Sequence, residues 1–191
     1  MNLVEFIGFV FGVAGIWLTI KEHWSCFPVG LVNVVFSLVL FIEQKLYSDT
    51  VQQAVYIVLL SYGWYKWQNR EFEIRPRIGF LNARDKLMLL AIGLIVAASM
   101  GLFFDYYTDA QVPYLDATAT AMSFIAQYLI ARKKMENWTI WVVVNCMYIG
   151  IYAYKELYLY MLLFSIYLGL AIHGYVTWRK MMENQKETVN G

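Results

Sequence analysis

Charge is scarce in this chain. Asp, Glu, Lys and Arg make up 15% of its 191 residues, against roughly 25% in an average soluble domain. None of them falls near the centre of a long apolar run. Proton or ion coupling ordinarily needs a titratable side chain or a carboxylate cage at mid-depth in a membrane. Its absence favours passive or facilitated movement and disfavours intramembrane catalysis, so no enzyme activity is expected. Sodium held by backbone carbonyls alone is the remaining alternative. Cysteine is also rare: Cys26 and Cys146 are the two. Both lie in apolar runs and read as buried small hydrophobes, with no CxxC and no Cys/His cluster to suggest a metal. Of the two histidines, His23 falls between apolar runs and His173 near the end of one. Neither has a carboxylate at helical spacing. No metal and no cofactor are expected, and a net charge of +1 gives no hint of a nucleic-acid partner. The first residues, MNLVEFIGF, place Glu5 where a signal peptide would carry Lys or Arg. The first segment therefore reads as a retained helix.

What fills the chain is apolar. Hydrophobic residues make up 60% and the mean hydropathy is +0.50, where a soluble protein is roughly 45–50% apolar. Apolar stretches recur near the ~20 residues that a helix needs to cross a bilayer. Seven are expected, at 4–20, 25–42, 50–67, 86–104, 112–131, 137–154 and 158–178. The fold class is an all-α integral membrane protein with seven transmembrane helices, and the lipid bilayer is its environment. The second span has Pro28 near its start, which reads equally as a plain helix start or a hinge. Gly8, Gly12 and Gly15 in the first are spaced for close helix approach.

Positive charge sets the orientation. With the N-terminus on one side, alternate loops on the other collect Lys21, Lys66, Arg70, Arg75, Arg77, Arg84, Lys86, Arg132, Lys133, Lys134, Arg179, Lys180 and Lys186. Only Lys45 and Lys155 remain, out of 15 Lys and Arg. The acids divide evenly, so the bias is the one that keeps Lys and Arg inside. The N-terminus is expected outside and the C-terminus in the cytoplasm. The basic linker at 68–85 reads as a cytoplasmic loop drawn to anionic headgroups, and the tail MMENQKETVNG as disordered. Trp24, Trp64, Trp67 and Trp178 lie at segment ends and read as interface anchors.

A single constant offset, with no gap, lays the chain on itself. Leu46-Tyr47 meets Leu157-Tyr158, Tyr56 meets Tyr167, and Tyr62-Gly63-Trp64 with Trp67 meets His173-Gly174-Tyr175 with Trp178. Spans 1–3 (4–67) and 5–7 (112–178) are then parallel repeats. Two three-helix units keep one orientation only when an odd number of spans joins them, and span 4 (86–104) is that connector. Transporters built of repeats hold substrate near the midplane between them; a scaffold duplicated for stability is the plainer alternative.

The polar residues within the spans are few and uncharged: Asn33, Ser37, Gln52, Gln53, Thr118, Thr120, Ser123, Gln127 and Asn145. Trp138, Trp141 and Asn145 follow i, i+3, i+7, which places them on one helix face. Two indoles and an amide suit a flat heteroaromatic ligand. For a cationic one the indole face adds about 0.5–2 kcal/mol. A tryptophan belt with one interhelical amide bond would look the same, and spacing alone does not separate the two.

The stretch WSCFPVGLVNVVFSLVLFIEQKLYSDTVQQAVYIVLLSYGWYKW, with LYxDxxxQ and YGWxxW, resembles the Pnu family of bacterial vitamin transporters. So does QYLIARKKMENWTIWVVVN, with WxxWxxxN, and the likeness runs from about residue 4 to 178. The resemblance implies a three-plus-one-plus-three arrangement related to the SWEET sugar transporters. It implies facilitated diffusion across the bacterial cytoplasmic membrane, trapping by a cytoplasmic substrate kinase, and association as trimers. It also implies a vitamin held by aromatic and amide side chains. By motif these are Trp138, Trp141 and Asn145 of WxxWxxxN and Gln53 of LYxDxxxQ, with Gln127 as a further member. Asn33 and Tyr148 are added from their depth and chemistry. Within the family WxxWxxxN points to nicotinamide riboside, with thiamine as the alternative, since both are cationic heteroaromatics. Two departures stand out: LYSD replaces LYGD, and the additional N-terminal helix of some members is not expected here.

Overall fold

The computed structural model describes residues 3–43, 47–68, 77–108 and 111–190. Leu46 of the repeat match, and Lys45, Arg70 and Arg75 of the charge pattern, lie outside them. Among the described residues seven helices form: α1 (Leu3–Ile20), α2 (Cys26–Glu43), α3 (Tyr47–Gln68), α4 (Ala83–Tyr107), α5 (Pro113–Ala131), α6 (Glu136–Tyr154) and α7 (Tyr158–Asn190). No strand occurs among the described residues. Boundaries agree with the apolar runs within a few residues, except at the end of α7. That helix continues to Asn190, through the segment expected to be disordered. No Gly or Pro interrupts this extension, Met182 is buried on the core, and Arg179 pairs with Glu183 one turn on at 3.3 Å.

Local chemistry fixes the helix ends. The Asn82 side chain accepts from the Asp85 N–H at 2.7 Å and caps α4. Pro113 opens α5, where its missing N–H costs nothing. Pro28 lies in the first turn of α2. The ends of α1 and α5 are alike bond for bond. In α1 the Glu22 N–H donates to Thr19 O at 3.0 Å and His23 N–H to Leu18 O at 2.9 Å; in α5 Lys133 donates to Ile130 O at 2.9 Å and Lys134 to Leu129 O at 3.0 Å. This is the Schellman arrangement, whose turning residue is left-handed and usually glycine. Here Glu22 (φ 53) and Lys133 (φ 51) take that conformation. The offset that carries Tyr56 onto Tyr167 also carries Glu22 onto Lys133.

Packing runs around a ring. α1 packs on α2, α2 on α3, α3 on α5, α5 on α6, α6 on α7, and α7 back on α1. α4 stands beside the ring and packs mainly on α5. The outer faces are apolar: Phe36, Val58, Leu87, Leu94 and Ile95 are all more than 60% exposed. Buried polar side chains, Thr120, Ser123, Gln127 and Asn145, lie inside. That inversion of the soluble pattern fits a chain solvated by lipid. By length and apolarity alone, α4 and residues 158–185 of α7 suffice to cross a membrane among the described residues; Gly8–Ile20 and Cys26–Val39 are shorter apolar stretches.

The core corrects two of the anchor assignments. Trp178 is fully buried and centres a cluster with Ile20, Met135, Trp138 and Met182. Trp67 packs edge-on against Phe27 and donates its indole N–H to Ala131 O at 3.2 Å. Only the ring-to-ring packing of α3 and α7 against the other half reveals this, because position near a helix end looks the same for an anchor. Trp24, at 43% exposed, remains at the surface. Cys26 is buried as expected, whereas Cys146 is exposed on the outer face of α6, and both are free.

The second half of the basic linker is packed in place. Ile78 is buried among Met135, Trp178 and Met182. Gly79 exchanges backbone bonds with the α5–α6 turn, donating to Lys133 O at 3.2 Å and accepting from Met135 N–H at 2.9 Å. The Leu81 N–H reaches the Glu136 carboxylate at 3.0 Å, and Lys86 pairs with the same carboxylate at 3.0 Å.

Candidate substrate-binding site

The ring encloses a cavity of about 960 Å³. All seven residues singled out in the sequence line it: Asn33 from α2, Gln53 from α3, Gln127 from α5, and Trp138, Trp141, Asn145 and Tyr148 from α6. The helical periodicity of α6 puts its four on the inward face. The ring packing brings the amides of α2, α3 and α5 to the same space. An amide that can donate and accept thus reaches the cavity from four helices.

Trp138 and Trp141 divide in environment. Trp138 is 2% exposed and meets Trp178 edge-on, with ring centroids 5.3 Å apart. Trp141 is half-buried. Trp138 is therefore a core residue, and Trp141 is the less buried of the two. Both line the cavity.

Sequence reasoning missed further aromatics of the lining. Tyr152, Phe164 and Tyr167 line the cavity with Tyr148. Tyr148 stacks on Tyr152 at 6.0 Å, and Phe164 meets Tyr167 edge-on at 5.6 Å. Tyr56 was missed as well. Its hydroxyl donates to Ser123 Oγ at 2.6 Å, and Ser123 donates to Thr120 O at 2.7 Å, joining α3 to α5 at mid-depth. The match of Tyr56 with Tyr167 was the available signal, since both members of the pair face the cavity.

Among the described lining residues, charge is at one end: Asp116 and Lys155 alone are charged, and they pair at 3.2 Å. They lie at the start of α5 and just past the end of α6, opposite the α1–α2 and α5–α6 turns. The middle of the cavity offers π faces, amides and hydroxyls. Such a lining holds a flat heteroaromatic with hydrogen-bonding substituents, and its volume is within the roughly 300–1,000 Å³ usual for small-molecule sites.

A family profile described as nicotinamide mononucleotide transporter matches residues 2–180. The chain belongs to that family. Members of the nicotinamide mononucleotide transporter family are membrane transporters, so the cavity sits in a permeation protein. Among curated relatives, the nicotinamide riboside transporter PnuC of Escherichia coli (strain K12) is 26% identical over 93% of this chain and 85% of its own. The Neisseria mucosa protein of the same description is 25% identical over 85% of this chain and 66% of its own. The riboflavin/roseoflavin transporter RibM of Streptomyces davaonensis is 23% identical over 74% of this chain and 68% of its own. A crystal structure of the Vitamin B3 transporter PnuC shares the fold, with a TM-score of 0.75, 21% identity, and coverage of 95% of this chain and 82% of that one.

Proposed function

We propose that this chain is a permease for facilitated uptake of nicotinamide riboside across the bacterial cytoplasmic membrane. The observation that carries the reading is the convergence of Trp141, Asn145, Gln53, Gln127 and Asn33 on one cavity whose middle holds no charged side chain among the described residues. Trp141, with Trp138, encloses the pyridinium. The amides of Asn145, Gln53 and Gln127 bond the carboxamide and ribose hydroxyls, and Asn33 and Tyr148 complete the lining. The relatives described as nicotinamide riboside transporters support this choice of vitamin.

The path runs between two parallel three-helix repeats, α1–α3 and α5–α7, joined by α4. Support comes from the ring of contacts, which maps onto itself when α1, α2 and α3 are exchanged for α5, α6 and α7. The basic end faces the cytoplasm by the distribution of Lys and Arg. Without a coupled ion the flux can only equilibrate the riboside. Accumulation then needs a cytoplasmic kinase that converts it to a charged product, and assembly as a trimer belongs to the same reading.

Calorimetric titration of the detergent-purified protein with nicotinamide riboside, thiamine and riboflavin tests the proposal. Saturable binding of the riboside, lost in Asn145→Leu with the fold retained, is expected. Binding of thiamine or riboflavin alone would keep the site and change the vitamin. A folded protein that binds none of them would leave a scaffold. Riboflavin belongs in the panel because RibM is among the relatives.

A further inference from the structure

At the basic end of the cavity, contacts join the two halves of the ring in matched pairs. Phe27 and Trp138 hold corresponding places in the two halves, and each ring meets a tryptophan edge-on: Phe27 on Trp67 at 5.0 Å and 87°, Trp138 on Trp178 at 5.3 Å and 87°. Trp67 donates across the ring to Ala131 O at the end of α5, and Trp178 to Thr19 O at the end of α1, both at 3.2 Å. The two tryptophans meet each other at 6.5 Å. Over them lie Glu22 and Lys133, one from each matched turn, paired at 3.0 Å. The Lys133 ammonium also sits 4.6 Å from the Trp67 ring centroid.

The identity of the pair is informative because the backbone asks for something else. At a left-handed turning position glycine fits at no steric cost, and other residues cost on the order of 1 kcal/mol or more. Glu22 and Lys133 occupy two of the three such positions among the described residues, with Glu156 (φ 58) at the end of α6 as the third, and the Glu22 and Lys133 side chains are only 21% and 14% exposed. What distinguishes Glu22 and Lys133 is that they hold matched positions at the ends of α1 and α5 and pair with each other across the ring.

We infer that Glu22 and Lys133 form the latch of a gate at the basic end of the cavity, holding the α1–α2 and α5–α6 turns together over Trp67 and Trp178. This rests on the reading of the cavity as a permeation path. Parting of the two turns breaks the ion pair and both indole hydrogen bonds together, so the gate has two discrete states. The segment at 77–82 clamps the α5–α6 turn through Gly79 and Ile78. The turn therefore moves with that segment as one piece.

Cys26 is a native reporter, because it lines the cavity beside Phe27 and is buried in the closed state. The test uses inside-out membrane vesicles carrying the full chain with Cys146→Ser, and a membrane-impermeant maleimide added outside the vesicle. Unaltered Glu22 and Lys133 should give slow labelling of Cys26. Glu22→Gln and Lys133→Gln should label at least about fivefold faster, as expected for a partly buried pair worth about 1 kcal/mol. Glu22→Gly relaxes the backbone, so it should label faster without loss of thermal stability. Glu22→Lys combined with Lys133→Glu should return the rate to within about twofold of the parent. Equal rates throughout, or a charge swap that labels as fast as the single variants, overturn the latch. No vitamin is present in the assay, so this outcome is separate from the binding titration.

Discussion

The indole of Trp138 occupies the space that a side chain at residue 174 would need: a Cβ built on Gly174 collides with its six-membered ring. The same relationship holds in the first half of the chain between Phe27 and Gly63. Each aromatic packs close against the backbone of the third helix of its half, and each is met edge-on by the tryptophan one turn further along that helix, Trp178 and Trp67. Gly174→Ala and Gly63→Ala should each destabilise by about 1–3 kcal/mol, the usual cost of overpacking. Gly150→Ala and Gly169→Ala have nothing within 4 Å of the new methyl and should be neutral or slightly stabilising, since alanine is the better helix former. Thermal unfolding in one detergent compares the four. Equal behaviour would mean that the aromatic-on-glycine contact is not a packing constraint.

Trp138 and Trp141 should separate in their mutants. Trp138 is in the core, so Trp138→Ala should cost about 3–5 kcal/mol of stability. Trp141→Ala should leave the melting temperature nearer the parent's and weaken riboside affinity by about 3- to 30-fold, the range of one cation–π contact. Unfolding and calorimetry on the same preparations decide this. A Trp141→Ala variant that melts early but binds normally would place its indole in packing alone.

The Tyr56 hydroxyl should matter through Ser123. Tyr56→Phe removes the donor of a 2.6 Å bond between α3 and α5 and should cost about 0.5–1.5 kcal/mol. In Ser123→Ala the Tyr56 hydroxyl loses its acceptor, and a similar loss is expected. The double variant should cost less than the two single losses added together, because one bond is counted twice. Strict additivity in the cycle would show that the two hydroxyls do not interact.

Asp116 and Lys155 should tune the attraction of a cationic vitamin. Asp116→Asn leaves the Lys155 charge unopposed beside the cavity and should weaken riboside binding by about two- to fivefold, less at high salt. Lys155→Gln leaves the carboxylate unopposed and should strengthen it. Riboflavin is neutral, so neither change should alter its interaction with the protein. Titrations at low and high salt measure the effect, and opposite signs for the two variants are the required result.

The reach of the sequence is clearest at α6. Helical spacing alone puts Trp138, Trp141 and Asn145 on one face, and that face does line the cavity. Gln53, Gln127 and Asn33 were legible too, because an uncharged amide in an apolar run has few places to go except the interior. Tyr56, Tyr152, Phe164 and Tyr167 were not, since tyrosine and phenylalanine suit lipid, interface and cavity alike. Trp178 was misread for the same reason.

The sequence by itself determined the helices, their order and the internal match of the first half with the second. These follow from apolar run length, from Pro and Asn at helix starts, and from residue identities compared along one chain. Only the tertiary structure decided which side chains meet across the ring. Glu22 finds Lys133, Trp67 finds Ala131, Trp178 finds Thr19, and Ile78 enters the core of the second half. Each partner lies on a different helix or turn, far along the chain. Its place is fixed by how seven helices share one volume, which no local pattern encodes.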